Sequence, residues 1–240
     1  DYRFSNSFVG GVGVGYGRDR TEIGANGSLS RADAYSMALY GSYTPAADLF
    51  IDGVLGGSML DFDSVRFVTP TGLIATGDVG GTQVFGSFTF AYERRDHGWM
   101  VSPYGRIAFS RSRIEGFREF DAGVYSLAYG DQRVDSLSAS LGLRAYETIE
   151  LPNGLLRPEL RGEYGYDFAD RSSLLLGYAD LSSLTYSTVP GRNARHHFDL
   201  SLLLDLRMSR GWGIGIGYRT RVGSGSRMSH TVDVRIEVQF

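Results

Sequence analysis

The chain has 240 residues, a net charge of -3, 33 glycines, 6 prolines and no cysteine, which excludes disulfides, thiolate metal sites and cysteine nucleophiles. All 24 basic residues are arginine, so phosphate-loop and Schiff-base chemistries that need lysine are excluded, and with so small a net charge and no basic run there is no nucleic-acid partner to expect. Mean hydropathy is slightly negative and no run approaches the roughly 18 apolar residues of a membrane helix, but a membrane β-barrel with strands of about 9 to 11 residues escapes that test.

Side chains in a strand point to opposite faces with period 2, and this alternation predicts ten strands in chain order after an opening stub. Asp1 to Phe4 reads as the tail of a strand that ends at a Ser5–Ser7 turn. Phe8 to Tyr16, Tyr35 to Tyr43 and Leu49 to Gly57 follow, with small residues, many of them glycine, on the inner face. Val84 to Tyr92 sets Val84, Phe88, Phe90 and Tyr92 against Phe85, Ser87, Thr89 and Ala91, and Trp99 to Phe109 sets Val101, Pro103, Ile107 and Phe109 against Ser102, Tyr104, Arg106 and Ala108. Ser136 to Tyr146 places Leu137, Leu141 and Leu143 opposite serines and Arg144. Leu156 to Phe168 places Leu156, Leu160, Tyr164 and Tyr166 opposite Arg157, Glu159, Arg161 and Glu163. His197 to Met208 opposes a row of leucines to Asp199, Asp205 and Arg207, and Trp212 to Val222 opposes Ile214, Ile216 and Tyr218 to glycines, Arg219 and Arg221. The last strand, His230 to Phe240, carries Val232, Val234, Ile236, Val238 and Phe240 on one face and Asp233, Arg235 and Glu237 on the other.

The expected connections alternate in length. Short turns fall at Ser5 to Ser7, Thr44 to Asp48, Arg94 to Gly98, Glu150 to Gly154 and Ser209 to Gly211. Long loops fall at Arg18 to Arg31, Asp61 to Gly81, Ile114 to Asp135 and Ala169 to Arg195, with Gly223 to Met228 as a short exception. Tight turns at one end and large loops at the other are the organisation of an outer-membrane barrel, and aromatic residues near strand ends fit two interfacial girdles. The fold class expected is therefore an all-β, antiparallel, up-and-down transmembrane barrel whose apolar faces meet outer-membrane lipid. Its lumen-facing set is Arg106, Arg144, Arg157, Glu159, Arg161, Glu163, Asp199, Asp205, Arg207, Arg219, Asp233, Arg235 and Glu237. Such an interior would carry a cost of several kcal/mol per ion in a dry core and little around a hydrated lumen. A soluble sandwich with its charged faces outside is the alternative, and it must confine Tyr, Phe and Leu to one parity with no helix to cover an edge. The inner glycines Gly11, Gly13 and Gly15 permit barrel bending or the close approach of a segment lying in the pore.

The stretches Asp1-Tyr2-Arg3-Phe4-Ser5, Gly13-Val14-Gly15-Tyr16, Leu39-Tyr40-Gly41-Ser42-Tyr43, Ile51-Asp52-Gly53-Val54-Leu55-Gly56, Pro103-Tyr104-Gly105-Arg106, the run Tyr129 to Leu137, Leu141-Gly142-Leu143-Arg144 and the terminal strand lie along the chain in an order that resembles the C-terminal translocator domain of classical type V autotransporters. The resemblance implies a twelve-stranded barrel through which an N-terminal passenger of the same chain reaches the cell surface, with a linker helix left in the lumen. It also implies recognition by the barrel-assembly machinery of a terminal strand ending in an aromatic, here Val234, Ile236, Val238 and Phe240. Parity puts Phe240 on the short-turn, periplasmic side. The family's first strand, most of its second, the lumen helix and the passenger would precede Asp1, so the expectation is one barrel domain over residues 1–240 with its N-terminal part missing.

No cofactor, metal site or catalytic residue is expected. His97, His196, His197 and His230 lack metal-ligand spacing, no G-x-S-x-G elbow occurs, and the run Gly11 to Gly15 lies within a strand with no helix after it. Glu159, Glu163 and Asp199 are expected to balance Arg157, Arg161 and Arg207 across neighbouring strands. Two other classes stay open: an outer-membrane enzyme using the loop acids Glu115, Glu119, Asp121, Asp131 and Asp170, and a plain porin or adhesin barrel.

Overall fold

The fold is taken from a computed structural model, described for residues 1–168, 172–181, 185–188, 195–209, 211–223 and 228–238. The described residues form β1 (Tyr2–Ser5), β2 (Phe8–Ile23), β3 (Ser28–Ala46), β4 (Leu49–Val68), β5 (Leu73–Tyr92), β6 (Arg94–Asp96), β7 (Trp99–Ile114), β8 (Phe117–Arg118), β9 (Leu127–Tyr129), β10 (Gln132–Glu147), β11 (Ile149–Leu151), β12 (Gly154–Asp167), β13 (Leu174–Tyr178), β14 (Thr185–Thr188), β15 (His196–Met208), β16 (Trp212–Gly223) and β17 (Met228–Val238). A 3-10 turn at Gly123–Tyr125 is the helical element among them.

The main sheet is an antiparallel meander in the order β1-β2-β3-β4-β5-β7-β10-β12-β15-β16-β17. Short β6 and β11 carry β5 and β10 past single-residue breaks at Glu93 and Thr148. At each break the ladder is kept by a backbone bond, Glu93 N–H to the Asp48 carbonyl (2.7 Å) and Thr148 N–H to the Gly98 carbonyl (2.9 Å). The ten predicted strands and the opening stub are all present. Between β6 and β7 the turn uses His97 (φ 43°) and Gly98 (φ 89°), the two left-handed positions of a two-residue hairpin loop whose twist matches the strands. Among the described residues no bond joins β1 to β17, so these strands are the two edges of the sheet.

Curvature is fixed by contacts that skip a strand. Tyr104 on β7 donates its hydroxyl to Glu163 on β12 (2.6 Å), although β10 lies between them. Strands are about 4.8 Å apart, so side chains two strands distant meet only where the sheet is concave. That concave face carries the ionisable residues, and the opposite face carries the apolar ones. Val14 is 85 % exposed there, with Leu141, Leu202, Ile216 and Val234 exposed alongside.

The outward apolar face has a defined upper limit. On β2 it runs from Phe8 to Tyr16, about 27 Å at about 3.4 Å per residue, which at a tilt of about 40° rises about 21 Å, most of a band of roughly 25 Å. The next outward side chain is Arg18, which forms a two-pronged pair with Asp33 (2.8 and 3.0 Å), and Tyr16 donates to the same carboxylate (2.5 Å). On β7 and β10 the step is from the facing pair Phe109 and Leu137 to Arg111 and Asp135, bonded at 2.7 Å. On the later strands Tyr164 bonds His196 (2.6 Å) and Tyr218 bonds His230 (2.7 Å). Rings whose polar ends reach the first polar residue past a greasy band are the anatomy of an interfacial girdle.

Two expected loops are instead strand. β2 continues to Ile23 and β3 begins at Ser28, while β4 runs to Val68 and β5 begins at Leu73, which leaves turns of residues 24–27 and 69–72. Above the band both faces are polar, so the alternation fades while the ladder continues on backbone bonds and cross-strand pairs such as Arg18 and Asp33. The described parts of the other two expected loops also contain strands. Their strands β14-β13-β9-β8 form a second sheet, attached to the free upper edge of β5 by reciprocal bonds between Thr76 and Phe120 (3.1 and 2.8 Å). Glu119, its side chain only 2 % exposed, anchors this sheet: it accepts from Arg66 Nε (2.8 Å) and Nη2 (2.5 Å), the Leu127 N–H (2.9 Å) and the Tyr129 hydroxyl (3.2 Å).

Burial, and then the Glu119 charge, push the Tyr129 phenol up to about 12. Its folded value lies above the ordinary value of about 10, so its contribution is complete below pH 10 and declines as pH rises toward 12. Protease cleavage between Gly116 and Asp131 should therefore rise over that window before the main sheet unfolds. Glu119→Ala, which leaves Arg66 unpaired, should open the same segment to protease at neutral pH while the main barrel keeps its heat-modifiable mobility on gels.

Candidate functional site: the concave polar face

The concave face has two unlike halves. From β2 to β5 it carries few charges and many small residues, Gly11, Gly13 and Gly15 on β2, Ala38 and Ser36 on β3, Gly56 and Ser58 on β4 and Ser87 on β5, interrupted by the rings of Tyr40 and Phe85 and by Asp52. A methyl group built at Gly11 would lie 2.5 Å from the Tyr40 hydroxyl, so glycine is required there by the ring across the ladder, whereas nothing lies within 4 Å of such a group at Gly15. The glycine row is thus closed at Gly11 and open at Gly15.

From β7 to β17 the same face is ionic. One hydrogen-bonded row runs Tyr104, Gly142, Glu163, Asp199, Arg221 over five strands. Glu163, 3 % exposed, accepts from Tyr104, from Arg161 Nη2 (2.8 Å) and from Arg106, while Arg161 Nε donates to the Tyr104 oxygen (2.5 Å). Arg161 also stacks on the Tyr104 ring, 4.7 Å from its centroid. Tyr104 reaches Glu163 by lying flat over Gly142, and a side chain at Gly142 would overlap the ring. Glu163 and Asp199 face each other directly, a repulsive arrangement on its own. Arg221 offsets it by holding Asp199 in a fork (2.7 and 2.8 Å).

The expected ionic residues lie on this face, but their partners are redistributed. Glu159 lies 3.0 Å from Arg144 Nε as an ion pair without hydrogen-bond alignment, and Arg157 and Arg207 both approach Asp205 at 3.6 Å. Asp199 takes Arg221 in place of Arg207, with His197 at 3.9 Å. Arg219 donates to the Ser201 hydroxyl (3.3 Å), and Arg235 pairs with Glu237 on its own strand (3.4 Å). Asp233 leans over Gly217. Neighbouring strands slide against one another in a tilted barrel, so residues facing each other across the ladder cannot be paired from sequence offsets alone. Sequence reasoning placed Tyr104 and Gly142 on strands but assigned them no role. The signal was an aromatic of inward parity on an otherwise polar face.

Three of the loop acids that left an enzyme open as an alternative have structural partners. Glu119 is enclosed as described, Asp121 accepts from the Thr76 hydroxyl (2.6 Å), and Asp131 accepts the Gly116 N–H (2.7 Å). Asp170 lies outside the described residues. On the terminal strand Val234, Ile236 and Val238 all point outward and are exposed, with the free edge of β17 beside them. Phe240 lies outside the described residues.

An antiparallel meander with an outward greasy band, an aromatic and ion-paired upper border and an inward charged wall defines an outer-membrane β-barrel wall. The chain belongs to the autotransporter beta-domain family, whose family model matches residues 1–219. It is similar to the translocator domain of the autotransporter NalP from Neisseria meningitidis, with a TM-score of 0.78, 15 % identity and coverage of 99 % of this chain and 77 % of that one. The beta domain of the Bordetella autotransporter BrkA gives a TM-score of 0.67 at 15 % identity, covering 98 % and 85 %. Among curated relatives, esterase EstA of Pseudomonas aeruginosa is 27 % identical over 149 residues, 60 % of this chain and 23 % of that protein. Outer membrane protein B of Rickettsia conorii is 20 % identical over 242 residues, 95 % of this chain and 15 % of that protein. The chain spans less than a quarter of the length of either relative.

Gly142→Ala should displace Tyr104 from Glu163 and lower the unfolding free energy by about 1–3 kcal/mol, read as an earlier urea midpoint for loss of the heat-modifiable form. Gly15→Ala, at the open position, should leave that midpoint in place.

Proposed function

We propose that this chain is the translocator of a longer polypeptide, its concave face lining a hydrated lumen through which an N-terminal passenger of the same chain reaches the cell surface. The observation that carries the reading is the charged wall from β7 to β17. Its arginines and carboxylates are neutralised largely within the wall, so a passing polypeptide meets a wetted surface with few free charges to bind it. The open glycine row from Gly13 through Gly15 to Gly17 is where a linker helix left in the lumen would lie, since there the wall presents bare backbone. Strands contributed from the N-terminal side would close the sheet between β1 and β17 and remove both edges, as lipid demands.

In the proposed orientation the turns at Ser5–Ser7, His97–Gly98 and Ser209–Gly211 are periplasmic, together with the C-terminus, and the β8, β9, β13 and β14 sheet is extracellular. The outward valine and isoleucine row of β17, which Phe240 follows in sequence, serves the barrel-assembly machinery as a templating edge, and outer-membrane lipid covers the apolar band. The esterase activity in the name of EstA belongs to that protein as a whole, and the barrel proposed here does no chemistry.

An epitope placed upstream of Asp1 in the full-length protein should become accessible to externally added protease on intact cells; an epitope that stays protected while the barrel is folded would overturn the translocation reading. Deleting Phe240 should lower the amount of heat-modifiable barrel in outer membranes, and unchanged assembly would remove the recognition role from the terminal aromatic.

A further inference from the structure

We infer that Arg113 and Arg133 form a binding site for the phosphate of an anionic glycolipid headgroup at the upper border of the apolar band. The inference rests on the proposed orientation, in which the outward face of β7 and β10 meets lipid. Arg113 and Arg133 are directly opposite each other on the ladder and share the outward parity of Phe109 and Leu137. Two like charges in that relation repel and weaken the sheet unless an anion lies between them. The neighbouring rows are resolved within the protein: Arg111 faces Asp135 and bonds it, and Arg133 reaches the same carboxylate from Nε (3.2 Å). The Arg113 side chain makes no hydrogen bond or ion pair among the described residues, so Asp135 serves two of the three guanidinium groups and leaves the third without a carboxylate partner.

The height is right for a headgroup. Phe109 and Leu137 are the last apolar pair, Arg111 and Asp135 form the first polar row, and the arginine pair is the row after it. That places the guanidinium groups roughly 14 Å along the strand from the band edge, within reach of phosphates bordering the hydrocarbon once the long side chains extend toward them. A groove of about 470 Å³ opens at this point, lined by Arg113, Arg133, Thr82, Gln132, Glu115 and Asp131. Thr82 faces Arg113 across the β5 ladder and adds a hydroxyl donor. Glu115 and Asp131 lie on the far side of the arginine pair from the band, and Asp131 is engaged by the Gly116 N–H. On the band side the carboxylate of Asp135 is already held by Arg111 and Arg133, so an anion enters there, where arginine forks match the oxygens of a phosphate. Elsewhere on this border Arg18 is spent on Asp33, and Arg20 and Arg31 also face each other across the ladder, but there Arg20 lies 3.4 Å from Glu22 and Arg31 faces Asp63 on its other side.

The test compares the wild-type full-length protein with its Arg113→Gln/Arg133→Gln variant in phosphatidylcholine vesicles under three conditions: with bis-phosphorylated lipid A, with the same lipid dephosphorylated, and with inorganic phosphate alone. The temperature at which the folded gel band disappears is recorded for each. Phosphorylated lipid A alone should raise that temperature for the wild type, and the double variant should lose most of the rise. In phosphatidylcholine alone the variant should match or exceed the wild type, since a repulsion has been removed. Arg20→Gln, on the same outward face, should keep the full response. An equal rise in the variant, or an equal rise with dephosphorylated lipid, overturns the site, and a rise with inorganic phosphate alone assigns it to the free ion. A variant already less stable in phosphatidylcholine makes the pair a structural element and also overturns the proposal. Failure of the wild type to insert in any vesicle overturns the orientation itself; insertion without discrimination between the lipids removes the phosphate site only.

Discussion

A polypeptide that crosses hydrocarbon must satisfy every backbone N–H and C=O within itself, because an unmet group there costs several kcal/mol. The unbroken ladder from β1 to β17 is the form that this requirement takes here, and other features follow from it. Once the backbone is committed to antiparallel pairing, period-2 geometry gives each strand two faces, and the two solvents divide the side chains between them. The breaks at Glu93 and Thr148 illustrate the constraint: the chain leaves regular strand geometry for one residue, yet each freed N–H is taken up at once by a turn carbonyl.

The alternation was readable from sequence wherever the two faces met different surroundings, which is why Leu200, Leu202 and Leu204 against Asp199 and Asp205 could be assigned without coordinates. It became unreadable above the band. There Arg18, Arg20 and Glu22 face outward from β2 while Asp19 and Thr21 face inward, and a residue pattern with polar groups on both faces looks like a loop whatever the backbone does. Partner identity was hidden for another reason. Arg144 meets Glu159, and Arg157 meets Asp205, because of how far each strand slides along its neighbour, a property of the whole sheet rather than of any one segment. Tyr104 shows a third kind of limit. Its parity was plain, but its role depends on the absence of a side chain at Gly142 one strand away and on a carboxylate two strands away.

Glycine on this wall has two separate uses. At Gly11 and Gly142 it makes room for a ring from the adjacent strand, so that aromatic groups lie along the wall instead of projecting across the interior. At Gly15 nothing occupies the vacated space. Together with the strand-skipping contacts of Glu163, these choices flatten the lining: long side chains on the ionic half are drawn sideways into pairs, and the sparsely charged half has few long side chains on its early strands.

That flattening bears on passage. A conduit for a polypeptide of unspecified sequence must avoid strong, localised attraction, because a chain that binds at one point stops there. Unpaired arginines would hold acidic segments, unpaired carboxylates basic ones, and a greasy lining would hold apolar ones. A wall whose charges are mostly joined to each other is well hydrated yet offers little net field at the distance of a passing backbone, since the field of an ion pair declines faster than that of a single charge. The same residues that would burden a dry core thus suit a wet one, and their pairing is what makes the surface indifferent to what moves along it.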